Sequence, residues 1–307
     1  MMSATALAII VTNWSSAILL QWFCRLNINE FITRPYGNRD FFIFRVELWD
    51  GMDYFKTVEE FKEQCGYTID GVWYPRVTKI VGIKNKPALL FYYAEAPSYA
   101  AALAQTKISA EEGTLIHNIM EKIFKGEEPE IPESVAPAIK AARELVEQKN
   151  IQIDTANIER RIYDTEHRYA GTIDSLAMIG GQFGVLDIKT SQAIYRDYNL
   201  QTSAYIAALS KDPLLQGLQN RWIFRIDQQK KCYRCAASMR PKGGKEKIRG
   251  AKAGLCPNGE HDWSPLTGIA ELKEFPLWKN DFEAFLGAKK LWEWENEDWL
   301  KRVGYLK

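Results

Sequence analysis

The chain has 307 residues, 46% hydrophobic and 26% charged, with 10 Trp and a net charge of +1. This excludes a disordered chain and allows one large or two small globular domains with a sizeable core. Near-neutral total charge does not announce a nucleic-acid partner, so charge has to be read segment by segment.

The first 24 residues carry no charged side chain. Residues 6–24 are long enough for a marginal membrane span or signal anchor, but Thr12, Asn13, Ser15 and Ser16 interrupt them. A basic leader and a cleavage site are missing, so a membrane is not expected as a partner. Residues 1–27 are set apart as an apolar segment, 28–73 as an extension without an assigned role, and 74–307 as the main domain. Residues 57–64 read as a short helix. Residues 86–105 read as helix, bent or broken at Pro97. A stronger helix follows at 109–124, where Ile116, Ile119, Met120, Ile123 and Phe124 keep helical spacing and Ser109 with Glu112 resembles a capping box. Residues 134–149 form another. The period then changes, with strands expected at 157–164, 169–179 and 182–189. A helix at 198–210, strands at 221–227 and 268–275 around a long insert, and an aromatic-rich helix at 281–297 complete the chain. Helices on the faces of a mixed central β-sheet make this an α/β protein.

Gly180-Gly181 is a good two-residue hairpin turn, because such turns need positive φ. With those glycines as the loop, opposed residues have numbers summing to 361, which places Asp174 opposite Asp187 and Thr172 opposite Lys189. Opposed residues share a face, with Cβ atoms about 4.5–5.5 Å apart. Two carboxylates that close repel, which favours capture of a hard cation such as Mg²⁺ or Mn²⁺. The ion can acidify water, and a nearby lysine can orient that water. An ordinary Asp–Lys ion pair at a strand end is the alternative reading. Glu159, on the preceding strand, is a weaker acidic candidate, and His167 reads as a surface residue or a DNA contact.

At these residues the sequence resembles the PD-(D/E)xK nuclease superfamily in its RecB-like exonuclease branch, which includes mitochondrial genome-maintenance and phage-type exonucleases. Gly113-x-x-x-His117-x-x-x-Glu121 is similar to the helical histidine motif, Gly171-Thr-Ile-Asp174 to the first acidic motif, and Leu186-Asp187-Ile188-Lys189-Thr190-Ser191 to the D/E-x-K motif with its Thr-Ser tail. Gln201-x-x-x-Tyr205 is similar to the following helix motif, and Tyr74-Pro-Arg-Val-Thr78 to the segment that opens the domain. The resemblance implies a restriction-endonuclease-like core that hydrolyses DNA phosphodiester bonds with Mg²⁺ or Mn²⁺. It implies His117, Asp174, Asp187 and the Ile188 carbonyl as metal ligands and Lys189 as the group that positions water. Glu121, Gln201 and Tyr205 would be auxiliary, and Thr190 and Ser191 would lie against DNA. Asp187 stands where many relatives have Glu.

Cys232-x2-Cys235, 20 residues, then Cys256-x4-His261 is spacing for a tetrahedral Cys₃His zinc site in an insert at 230–264. An iron–sulfur cluster that enlists Cys65 is the rival, since some RecB-like nucleases carry a four-cysteine cluster. Five cysteines with one tight pair also argue for a reducing compartment, hence a cytoplasmic location, nucleoid-associated in a bacterium or in the host cytoplasm for a phage. Residues 230–252 hold nine Lys or Arg and one acid, about +8 in a chain whose net is +1. Lys242, Lys245, Lys247 and Arg249 are therefore expected to grip a DNA backbone. The leading function is a metal-dependent exonuclease acting on single-stranded or free DNA ends in repair, recombination or processing. A restriction-type endonuclease and a non-catalytic DNA-binding protein that uses the zinc insert are the alternatives.

Overall fold

A computed structural model describes residues 5–10, 31–36, 39–47, 55–84, 86–243, 245–250 and 254–307. The chain forms two compact units, Met1–Lys56 and Thr57–Lys307. In the first, β1 (Thr5–Ile10), β2 (Phe31–Tyr36) and β3 (Arg39–Glu47) form an antiparallel sheet in the order β1-β3-β2. Residues 6–10 of the apolar run are therefore strand, and residues 11–24 lie outside the described residues. Among the described residues no helix is long and apolar enough to cross a membrane.

The second unit begins with α1 (Val58–Cys65), capped by Thr57, whose hydroxyl accepts the Glu60 N–H at 3.0 Å. The hairpin β4 (Gly66–Ile69) and β5 (Val72–Pro75) follows, then the short α2 (Val77–Val81) and α3 (Pro87–Glu95). Residues 57–73, grouped by sequence with the extension, pack in this unit because Phe61 stacks on Trp299 and Trp73 at centroid distances of 5.4 and 5.6 Å. The chain is extended at Ala96 before Pro97, and Ser98 caps α4 (Tyr99–Phe124) by accepting the Ala101 N–H at 3.1 Å. This corrects the expected capping box. Ser109 lies inside a continuous helix, because the proline and Ser98 supply the stronger start signal eleven residues earlier.

After α5 (Ala136–Gln148) come β6 (Gln152–Asp154), β7 (Arg161–Asp164), β8 (Tyr169–Thr172), β9 (Ser175–Ile179), β10 (Gln182–Lys189) and α6 (Asp197–Leu209). The long β11 (Leu218–Lys231), the hairpin β12 (Ser238–Lys242) and β13 (Lys245–Arg249), β14 (Thr267–Glu274), α7 (Trp278–Glu295) and α8 (Glu297–Arg302) end the chain. The central sheet has the order β13-β12-β11-β10-β9-β6, with β14 also on β11. Only β10 and β11 run parallel, so the sheet is mixed. One face packs on α4 and α5 through Ile116, Met120, Ile139, Leu186, Phe224 and Ile226, each worth about 1.5–3 kcal/mol when fully buried. The other face carries α6. Residues 202–209 of α6 are all buried, because the sheet lies on one side and α7 on the other. Arg221 sits beneath α6, almost wholly buried, and donates to the carbonyls of Asn199 (2.5 Å) and Phe275 (2.9 Å) while pairing with Asp281. A charge this deep is tolerable only when so fully partnered.

Candidate active site

Gly180 and Gly181 take φ of 59° and 80° at the turn, and the pairs run from Gln182↔Ile179 to Leu186↔Ser175, the register read from sequence. The expected strand at 169–179 is nevertheless two strands. The ladder stops at Ser175, and β8 pairs instead with β7. Asp174 therefore does not oppose Asp187 in the ladder, nor Thr172 Lys189. The cause is local. Asp174 turns its carboxylate onto the Ile188 N–H at 2.5 Å, taking the donor that a continuing strand would have used. The Asp174 carbonyl accepts the Glu159 N–H, and Ile173 donates to Arg160, both at 3.0 Å.

Asp174, Asp187 and Lys189 do converge. Asp187 is 1% exposed, Lys189 Nζ lies 2.6 Å from its Oδ2, and that oxygen has no well-aligned hydrogen-bond donor. Gln201 donates to Asp187 Oδ1 at 3.3 Å and to the Tyr205 hydroxyl at 2.9 Å, so the i, i+4 pair on α6 braces the carboxylate. Burial raises the pKa of both aspartates, against the opposing pull of Lys189. Burial also works against the Lys189 ammonium, but Asp187 and Asp174 together outweigh it and raise its pKa. His117, on α4, sets Nδ1 3.9 Å from Asp174 Oδ2. Burial, then the Lys189 ammonium, lowers its pKa to about 4, so the ring is neutral at pH 7 and its lone pair is free to bind a metal.

Two glycines of the motifs are contact positions. A Cβ on Gly113 would meet Thr190 Oγ1 at 2.7 Å, so α4 can approach the end of β10 only there. A Cβ on Gly171 would lie 2.5 Å from the Tyr205 ring. Gly171→Ala is expected to destabilise by about 1–3 kcal/mol through overpacking. Thermal melting checks it, and an unchanged melting temperature would show that the ring gives way.

Glu159 is not in a strand. It occupies a left-handed turn with φ of 51°, and burial with the neighbouring Asp174 and Glu121 raises its pKa to about 7. Glu121 pairs with Lys125 at 2.5 Å. Two more acids thus border the aspartate pair. Tyr198, absent from the sequence reading, presents its ring 5.2 Å from Lys189 Nζ. His167 is no part of the site. Its ring packs edge-on against Phe282 at 5.3 Å.

A cleft of about 1120 Å³ runs past His117 and Lys189. Among the described residues its wall carries eight Lys or Arg against one acid, Asp197. Lys84 and Lys86 come from the stretch after α2, Arg196 from the start of α6, and Arg240, Lys242, Lys247 and Arg249 from the β12–β13 hairpin. Thr190 and Ser191 also line it; the Lys245 side chain lies outside the described ones. Within the basic insert, Ser238–Lys242 and Lys245–Arg249 pair as a hairpin. Its tip is clamped to α4, where Gln105 donates to the Gly243 carbonyl at 2.7 Å and Gly243 donates to Glu112 at 2.9 Å. Arg240 donates to the Thr190 carbonyl at 2.9 Å, and Lys242 donates to the same oxygen.

Burial, then Arg240, lowers the Lys242 pKa to about 8. Its charge fades as pH rises through that value. The positive charge of the cleft wall should therefore fall from about one unit below to one unit above it, and the fall should flatten in Lys242→Met, as electrophoretic titrations of the two proteins would read. The unfolded chain keeps the proton up to about 10.5, so the folded protein binds fewer protons between about 8 and 10.5 and this group makes stability rise with pH there.

Cys232, Cys235, Cys256 and His261 bring their ligand atoms within 4.8 Å of one another and could hold a metal ion; no other group of three or more such residues does so among the described residues. Cys232 Sγ lies 3.6 Å from Cys256 Sγ, and Cys235 Sγ 3.3 Å from His261 Nδ1. The first knuckle closes with Ala236 donating to the Cys232 carbonyl at 3.1 Å and Ala236 at φ 59°. Burial works against the Cys232 thiolate, but backbone N–H groups of Cys235, Arg234 and Asp262, together with His261, lower its pKa to about 5. Cys65 is not in the cluster. It ends α1, buried, with burial raising its pKa.

Neither a protein-family model nor a curated protein matches the chain.

Proposed function

We propose that this protein is a divalent-metal-dependent nuclease of the PD-(D/E)xK type, with a restriction-endonuclease-like core and kinship to RecB-like exonucleases. The observation that carries the reading is the meeting of Asp174, Asp187, Lys189 and neutral His117 beside a cleft with eight cations and one acid. The aspartate oxygens fit a hard cation such as Mg²⁺ or Mn²⁺, since Asp187 is buried, the Asp174 side chain is only 18% exposed, and Asp187 Oδ2 is without an aligned donor. Asp174, Asp187, the Ile188 carbonyl and His117 would hold it, although among the described residues these three side chains do not meet as closely as the Cys/His cluster does. When bound, such an ion acidifies water and offsets charge on a phosphoryl oxygen. Gln201, braced by Tyr205, keeps Asp187 in place. Lys189, relieved of neutralising Asp187, donates to the attacking water or to the phosphoryl oxygen that gains charge. The cleft cations hold the strand by its phosphates, and Tyr92, Tyr195 and Tyr198 offer rings to bases.

The Cys₃His cluster fits zinc. Tetrahedral sites with Zn–S of about 2.3 Å need sulfurs roughly 3.8 Å apart, close to the 3.6 Å between Cys232 and Cys256. The placement of Cys65 speaks against an iron–sulfur cluster that uses it.

The test is incubation with linear and circular single-stranded DNA and with duplex, each with Mg²⁺, Mn²⁺ or neither. Cleavage of linear strands that requires the divalent ion supports an exonuclease. Cleavage of circles would convert the reading to an endonuclease, and binding without cleavage would favour a non-catalytic protein.

A further inference from the structure

The sheet face that carries Asp187 and Lys189 stays polar well beyond them. Lys189 pairs with Arg225 in the parallel register, so Arg225, Asp227, Gln229 and Lys231 along β11 continue that face. Lys231 pairs with Ser238, and Arg240 with Lys247, so the hairpin extends the same face outward. These side chains enclose a second, smaller pocket of about 350 Å³, whose wall holds four cations against one acid, Asp227.

That acid is already committed, since Asp227 Oδ1 lies 2.5 Å from Arg240 Nε and Oδ2 lies 3.4 Å from Arg225 Nη1. Arg225 also pairs with Glu271 at 2.9 Å. Lys231 and Lys247 have no ion-pair partner among the described residues and supply the surplus charge. Ser238, Gln192 and Gln229 add neutral donors. Arg240 is the partition: its Nε faces Asp227 in the small pocket, and its Nη2 reaches the Thr190 carbonyl on the cleft wall. Gln192, Arg240 and Lys247 line both spaces, so the pocket adjoins the cleft.

We infer that this pocket is a phosphate subsite, holding a phosphate of the nucleic-acid strand one station beyond the carboxylates. Two free ammonium groups and three neutral donors around a small polar space suit a phosphate oxygen set. The inference rests on the cleft being the strand's path, as the nuclease reading has it.

The test compares binding of fluorescent single strands, without added divalent ion, by wild type, Lys231→Gln and Lys231→Glu. Lys140→Gln is the charge control, at an exposed position of α5 across the sheet. Three strands of one sequence carry a 5′-phosphate, a 3′-phosphate, or hydroxyls at both ends. Lys231→Gln is expected to weaken binding about three- to ten-fold and to lower the salt slope by about 1, Lys231→Glu to weaken it more, and Lys140→Gln to do neither. A loss confined to one phosphorylated strand assigns the pocket to a terminal phosphate, and an equal loss on all three assigns it to an internal phosphodiester. Wild-type affinity and salt slope in both Lys231 variants would overturn the subsite. Cleavage by wild type with Mg²⁺ is scored separately, so failure of the nuclease reading leaves the binding comparison interpretable.

Discussion

Lys189→Met is expected to lower divalent-metal-dependent cleavage by about 10²–10³-fold, the usual loss when a transition-state donor is removed, while tightening Mg²⁺ or Mn²⁺ binding. The two effects have one cause. Lys189 is the ammonium beside Asp187, at 2.6 Å, and it competes with a cation for that carboxylate. Without it buried Asp187 and part-buried Asp174 lose their counter-charge. The metal-free variant should then be destabilised by on the order of 3 kcal/mol, with the divalent ion restoring stability. Asp187→Asn should abolish cleavage as well, but with weaker metal binding, since a ligand oxygen is gone. Calorimetric titration with Mn²⁺ and melting with and without the ion read both variants. Opposite shifts in metal affinity with a common loss of cleavage mark a catalytic centre. Full cleavage in both variants would reduce the pair to a structural ion pair.

Cys235→Ser is expected to empty the Cys/His cluster and to release the hairpin wall of the cleft. The cluster lies where β11 gives way to β12, and the hairpin it anchors delivers Arg240, Lys242, Lys247 and Arg249. With those four contacts loosened, strand affinity at moderate salt should fall by at least about ten-fold, and the salt slope by about 3 at roughly 0.7 per phosphate contact on single strands. The main core should still fold, because the cluster of Ile116, Ile139, Leu186 and Phe224 includes no residue of the insert. Elemental analysis should find one zinc per wild-type chain and none in the variant. Iron in the wild type, or unchanged binding by a metal-free variant, would contradict this account of the insert.

Much of this was legible in the sequence where a local rule left a single solution. Gly180-Gly181 fixed the hairpin register as far as Leu186↔Ser175, since only residues tolerant of positive φ close that turn, whereas Asp174 is held beside β10 by its own side chain on the Ile188 N–H. The Cys and His spacing led to a four-residue cluster, and the stripe from Ile116 to Phe124 gave the buried face of α4. Where competing local interactions decided the outcome, the sequence misled. The break at Ile173-Asp174 depends on a side chain capturing a backbone N–H, which strand periodicity does not register. Glu159 sits at a positive φ that propensity does not foresee for glutamate, so its place beside Asp174 was underweighted. Lys84 with Lys86, Arg196, and Arg240 stand on three separate segments, and only the tertiary fold gathers them into one wall. Tyr198 belongs with them, since nothing in its neighbours announces a ring over Lys189.

The central claim is that Asp174, Asp187 and Lys189 form a hydrolytic centre served by the basic cleft. It is tested most directly by a time course on end-labelled linear single-stranded DNA with Mg²⁺, run side by side for wild type and Lys189→Met at equal bound DNA. Wild type should shorten the strand progressively only when the divalent ion is present, and the variant should do so at rates at least about 10² lower. Equal rates in the two proteins, or no shortening by wild type with Mg²⁺ or Mn²⁺, would contradict it.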